Sequence, residues 1–149
     1  MNLLKYVSIM LMLINSVPAN SAEWINLANT DRQFDKSRIR IDGDGVVWVW
    51  LKFVKPEDSI KRLESKLSSI GNKVDFSDYS YSIEFGGINC KQKTDIIKSG
   101  LDYASNGRVI NSWNDEDAKL EPMIPDSIGE IIDKEVCKFV SKKKKDKKR

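Results

Sequence analysis

The stretch Val46 to Val54, reading Val-Val-Trp-Val-Trp-Leu-Lys-Phe-Val, constrains the fold more than any other. It is the longest β-type apolar run beyond the first 22 residues. One alternate set is Val47, Val49, Leu51 and Phe53; the other is Val46, Trp48, Trp50, Lys52 and Val54. Successive strand side chains point to opposite faces, so both faces are apolar apart from Lys52. A strand covered on one side alternates apolar with polar, so this run predicts a central strand covered on both sides. Lys52 fits neither covered face and marks a place for a ligand or an opening.

The flanking sequence supplies a turn and a helix. Asp42-Gly43-Asp44-Gly45 precedes the run, and Asp-Gly between strand patterns signals a hairpin because glycine accepts positive φ. A calcium loop would need a bidentate Glu well downstream, and none stands at that spacing. Upstream, Glu23 to Ala28, Arg32 to Asp35 and Arg38 to Asp42 read as short strands, the last half-exposed. Downstream, Pro56 to Gly71 changes period. Ile60, Leu63, Leu67 and Ile70 recur at helical spacing, with Pro56, Glu57 and Asp58 at the start and Gly71 at the end. That stripe suits a surface helix packed on the sheet; a docking helix for a partner is the narrower alternative.

Strand alternation then returns. Tyr79, Tyr81, Ile83 and Phe85 share one face and Ser80, Ser82 and Glu84 the other. Gly86-Gly87 follows, and Ile88 and Cys90 continue in the opposite phase, which predicts a β-bulge or bend. Ile97, Leu101 and Tyr103 mark a further strand, and Asn106-Gly107 turns it into Arg108 to Trp113. Asn114 to Lys119 is an acidic loop, read as solvated rather than as an acid/base pair. Ser127 with Glu130 forms a capping box for a last helix with the apolar face Ile128, Ile131, Ile132, Val136, Phe139 and Val140. Cys137 lies off the centre of that face, so a bridge from it needs either the helix flank or a frayed helix.

Charge and composition narrow the function. The 149 residues suit one domain. The chain has no histidine, which removes the usual general base, the commonest metal ligand and any Ser-His or Cys-His pair. The expectation is therefore a protein that is not an enzyme, with no cofactor and no metal site. Of the net charge of +3, the tail Lys142 to Arg149 carries +6 and residues 1–141 carry −3. This tail of Lys142, Lys143, Lys144, Lys145, Lys147, Lys148 and Arg149 is a candidate polyanion contact and, as residues 141–149, an expected disordered segment.

Residues 1–22 read as a signal peptide: Lys5, the apolar run Tyr6 to Ile14, then small residues to Ala22. Cleavage after Ala19 or Ala22 fits, with Ala22 preferred, leaving one domain over residues 23–140. The run is short for a membrane span, and no cysteine follows it to carry a lipid. The expected location is periplasmic or secreted, without a lipid anchor. In an oxidising compartment Cys90 and Cys137 read as a disulfide, ahead of a reactive thiol or a metal pair.

An ordered set of features then converges. It comprises Trp24, Phe34-Asp35, Ser37-x-Ile39, Val47-Trp48-Val49, Ile88-Asn89-Cys90, Asn106-Gly107, Trp113, Ile124-Pro125-Asp126-Ser127 and Val136-Cys137. This order resembles the surface-adhesin protein E family of small exported bacterial proteins, over residues 23–138. The resemblance implies an α+β fold: an antiparallel sheet of about six strands with a C-terminal helix tied to it by Cys90 and Cys137. The Pro56 to Gly71 pattern adds a second short helix. The resemblance also implies a non-catalytic binding role, toward host matrix proteins or, in some members, haem. Trp48, Trp50, Lys52 and Tyr81 are the candidate ligand or partner surface. The expected partners are an extracellular protein or an anionic polymer; no nucleic-acid motif is present. A periplasmic haem-like carrier is the alternative, with Lys52 meeting a carboxylate.

Overall fold

The computed structural model describes residues 21–28 and 30–146, without the side chain of residue 144. The apolar segment expected to act as a signal peptide lies outside these residues, as do Lys147, Lys148 and Arg149 of the tail. In chain order the elements are β1 (Trp24–Asn26), β2 (Gln33–Asp35), a 3-10 turn (Lys36–Arg38), β3 (Arg40–Ile41) and β4 (Val47–Phe53). They continue as α1 (Glu57–Ser69), β5 (Tyr79–Asn89), β6 (Thr94–Ala104), β7 (Val109–Asn114), β8 (Glu121–Pro122) and α2 (Ile128–Asp146). The strands form one antiparallel sheet in the order β1-β2-β4-β5-β6-β7, with β3 beside β4 and β8 beside β6. This is the expected architecture, with two helices and the Cys90–Cys137 disulfide in place.

β4 is interior to the sheet, flanked by β5 on one side and by β2 and β3 on the other. The hairpin into it closes where the Asp-Gly repeat predicts. Asp42 N donates to Val46 O, Gly45 N donates to Asp42 O, and Gly45 has φ +81°, a backbone conformation that strains any residue with a side chain. The Asp42 carboxylate accepts from Asp44 N, Val46 N and Trp48 Nε1, so the turn itself uses it. α1 ends in a Schellman motif: Asn72 N donates to Leu67 O, Gly71 N donates to Ser68 O, and Gly71 has φ +80°. Of its apolar stripe only Ile60 is buried, and Ile70 is 72% exposed.

The core lies between the sheet and α2. Val47, Val49 and Leu51 from β4, with Phe34 and Ile88, pack against Ile132, Val136 and Val140. Phe139 meets Phe34 edge-on at 5.3 Å. Fully burying each such aliphatic side chain contributes ~1.5–3 kcal/mol, so this layer is the main stabilising term. The N-terminal cap of α2 is a split capping box. Ser127 Oγ accepts from Glu130 N, but the Glu130 carboxylate reaches Asp126 N rather than Ser127 N. Cys137 is half-buried on the flank of the helix and forms the bridge from there, with Cα atoms 5.8 Å apart. The helix does not fray at Cys137; it continues to Asp146.

Four expectations are corrected. Residues 141–146 of the tail are helical rather than disordered; lysine is a good helix former, and cations suit a helix C-terminus. Second, β4 is covered on one face only: its burial alternates strictly, with Trp48, Trp50 and Lys52 half-exposed. Third, the β-bulge expected at Gly86-Gly87 does occur there, but its extra residue lies in the partner strand rather than in β5. The residue left over at the register shift is Lys98 of β6, between partners Phe85↔Ser99 and Gly86↔Ile97. Apolarity changes face at the glycines because α2 covers only the Ile88 end of that side of the sheet. Fourth, a register shift at Ser80 moves Tyr79 off the face of Tyr81, to the side where Asp102 lies.

Candidate functional site

The face of the sheet opposite α2 is aromatic. Register places Trp48 beside Gly87, Trp50 beside Phe85 and Lys52 beside Ile83, while Tyr81 pairs with Tyr103. Paired residues share a face, so all four nominated residues, Trp48, Trp50, Lys52 and Tyr81, come together on it. Each is half-buried. The structure adds Trp24, Phe85 and Tyr103, which the sequence reading did not nominate. Phe85 and Tyr103 were findable, because they share strand phase with Tyr81 and Leu101.

The rings cover one another. Phe85 stacks on Trp48 at 5.4 Å and 21°, and Trp50 meets it at 4.8 Å and 39°. Tyr81 stacks on Tyr103 at 4.9 Å and 17°. Each of these contacts occupies ring surface that a flat ligand would otherwise use. Gly87 makes the packing possible: a Cβ there would lie 2.9 Å from both the Trp48 ring and Val46 Cγ1. Trp48 is further fixed by its 2.8 Å bond to Asp42, which holds that carboxyl below its ordinary range.

Lys52 is the cation of this face. Its Nζ lies 4.3 Å from the Tyr81 ring centroid and 5.7 Å from that of Trp24. Among the described residues it has no carboxylate within salt-bridge distance. A lysine held by rings alone keeps its donors free for an incoming acceptor. Arg40, opposite Trp48, adds a second exposed positive charge at the rim.

On the α2 side, beyond the reach of the helix, lies a buried polar network. Lys55 Nζ donates to Ser82 Oγ at 2.7 Å and forms an ion pair with Asp102. Ser82 Oγ donates to Asp102 at 2.6 Å, and Asn111 Nδ2 donates to the other Asp102 oxygen at 3.0 Å. Tyr79 Oη bonds Ser82 Oγ and accepts from Lys55 N. Burial pushes the Asp102 carboxyl up, but the bonds from Lys55, Ser82 and Asn111 outweigh it and hold it below its ordinary range. Lysine beside serine suggests a nucleophile and base, but the proton geometry is wrong. The lysine is a donor to the serine, the serine points its proton at a carboxylate of weakened basicity, and Ser82 and Asp102 are 0% exposed. The network is a buried clamp that ties Lys55, in the segment after β4, to β5, β6 and β7. Nearby Glu84 has its carboxyl pushed up by burial, offset in part by Lys55 and Arg32.

Comparison with known proteins adds one relative. An uncharacterized protein of Pasteurella multocida (strain Pm70) is 47% identical over 51 residues, which is 34% of this chain and 24% of that protein. The chain thus spans about a quarter of that relative's length. No family profile matches the chain, and no solved structure matches it.

Of the tail, Lys142 and Lys143 sit apart from the aromatic face. Lys142 and Lys143 line a cleft with Lys36, Phe139, Glu23 and Asp146, so two carboxylates share it. Among the described residues, no helix is long and apolar enough to cross a membrane, and no group of three potential metal ligands occurs.

Proposed function

We propose that this chain is an exported, non-catalytic binding protein, resembling surface adhesin protein E, that takes an extracellular protein partner on the aromatic face of its sheet. One observation carries the reading: aromatic side chains from β1, β4, β5 and β6 converge with Lys52 on the face that α2 leaves open. Exposed aromatic clusters with a cation are the composition of protein-interface hot spots. The disulfide fits an oxidising compartment.

The stacking favours a protein over a flat ligand. Trp48 and Trp50 both pack against Phe85, and Tyr81 stacks on Tyr103, so a haem-like plane would compete with these contacts for ring surface. Half-buried aromatics spread over four strands instead suit a broad apolar contact. The basic tail is a second, weaker element, acting on anionic polymers by charge alone.

The test is binding to immobilised extracellular-matrix proteins by surface plasmon resonance, with Trp50→Ala, Tyr81→Ala and Lys52→Glu. Each is expected to weaken binding about tenfold or more while circular dichroism stays unchanged. Folded variants that bind like the wild type would refute the reading. Loss confined to deletion of residues 142–149, with steep salt dependence, would move the site to the tail.

A further inference from the structure

Glu23 is held from three directions. Its backbone N donates to Asp35 Oδ1 at 3.1 Å, its O accepts from Lys36 N at 3.0 Å, and its carboxylate lies 2.6 Å from Lys36 Nζ. Asp35 is 0% exposed. The same Oδ1 accepts from Ser37 N and Ser37 Oγ, and Oδ2 pairs with Arg38. Among the described residues, neither Ser21 nor Ala22 makes a hydrogen bond. The fold therefore takes hold of the chain at Glu23, one bond beyond the preferred cleavage position.

We propose that the Ala22–Glu23 peptide bond is the processing site and that the α-ammonium released at Glu23 is captured by the buried Asp35 carboxylate, completing the fold. The step is a hydrolysis by water, catalysed by a signal peptidase. Water adds across the Ala22 C–N bond, the leader departs as an Ala22 carboxylate, and the Glu23 nitrogen gains protons to become an ammonium. In the precursor that nitrogen is an amide with one donor. In the processed chain it is a cation with three donors, already 3.1 Å from a buried anion. Charge-assisted bonds of this kind are about twice as strong as neutral ones. Cleavage after Ala19 would leave three more residues and place the ammonium away from Asp35. Arg38, Lys36 and the Glu23 side chain, with Lys142, Lys143 and Asp146 across the cleft on α2, are the other charges facing the pair, and all persist in both forms.

The processing half rests on the exported reading above; the capture half does not. The intact mass of the protein exported from the full precursor is measured first, and it is expected to begin at Glu23. Thermal unfolding then compares protein beginning at Glu23 with protein beginning at residue 20, from pH 6 to pH 11. The Glu23 form is expected to melt ~3–5 °C higher at pH 6. Asp35 favours the ammonium in the fold, so the gap is present below the ordinary α-amine range near ~8 and is lost as pH rises through and beyond it. Asp35→Asn should remove the gap at every pH; if that variant does not fold, N-acetylation of Glu23 should remove it instead. Equal melting of the two forms at pH 6, or a gap that persists unchanged to pH 11, overturns the capture. A mass beginning at residue 20 overturns the processing site. A chain that is not exported defeats the exported reading, while the melting comparison still decides the capture.

Discussion

Asp133 gives the sharpest prediction. It lies on α2 beside Ile132, is 4% exposed, and its Oδ2 has no hydrogen-bond partner. Burial, then the nearby Asp95 and Glu130 carboxylates, raise its pKa from the ordinary 3.8 to about 7. The fold thus holds a proton that the unfolded chain releases. Stability from this group is full below pH 3.8, falls as pH rises, and is lost by the time pH passes through about 7. At ~1.4 kcal/mol per pH unit, a window of about three units sums to ~4 kcal/mol, an order-of-magnitude figure. Asp133→Asn keeps the shape and removes the proton. It should match the wild type near pH 3.5 and gain ~2–4 kcal/mol over it at pH 8. Urea unfolding followed by tryptophan fluorescence at a series of pH values measures the difference. Asp35 and Asp102, whose carboxyls are held down, act in the opposite direction in acid, but they are common to both proteins and cancel. A difference that does not vary with pH would refute the reasoning.

Other outcomes are expected. Asp102→Asn leaves Lys55 facing a neutral amide and should cost ~3–5 kcal/mol by chemical denaturation, with little change in binding at the aromatic face. Replacing Cys90 and Cys137 by Ala opens a loop of separation 47 and should cost ~4 kcal/mol, read from the denaturation midpoint. Gly86→Ala puts a Cβ 2.6 Å from Ile96 O, a backbone atom that cannot step aside; ~1–3 kcal/mol should be lost and hydrogen exchange at β5 and β6 accelerated. Gly43→Ala has nothing within 4 Å and no positive φ, and should be close to neutral in thermal unfolding.

Local periodicity carried the elements because helix and strand patterns differ in every segment. Pro56, Gly71, Asp42 to Gly45 and Asn106-Gly107 mark turns and caps through backbone chemistry that does not depend on the rest of the fold. The uncovered face was not legible. Trp48 and Trp50 are apolar whether a helix covers them or Phe85 does, and the alternation of β4 cannot separate those cases. The Lys55–Ser82–Asp102–Asn111 clamp was hidden for the converse reason: Ser82 alternates with Ile83 as a solvent-facing residue would. Asp133 follows Ile132 of the apolar face of α2, and helical periodicity alone does not show that a carboxylate there is buried. One unused signal was available. Gly100 inside an apolar strand marks close approach, and the Trp113 indole does lie over it, 2.5 Å from where a Cβ would stand.

β7 has a further consequence for handling the chain before it is folded. Its Val-Ile-Asn-Ser-Trp-Asn sequence is uncharged, Val109 and Trp113 are 46% and 37% exposed, and among the described residues only one of its edges is paired. Such a segment is a template for other strands. Arg108 stands immediately before it and Asp115, Glu116 and Asp117 immediately after, none in a salt bridge among the described residues. Charges that flank a sticky segment act as gatekeepers against aggregation. The acidic loop then also serves crowded, unfolded copies of the chain. Neutralising Asp115, Glu116 and Asp117 should lower the yield of soluble protein on refolding while leaving the melting temperature where it was.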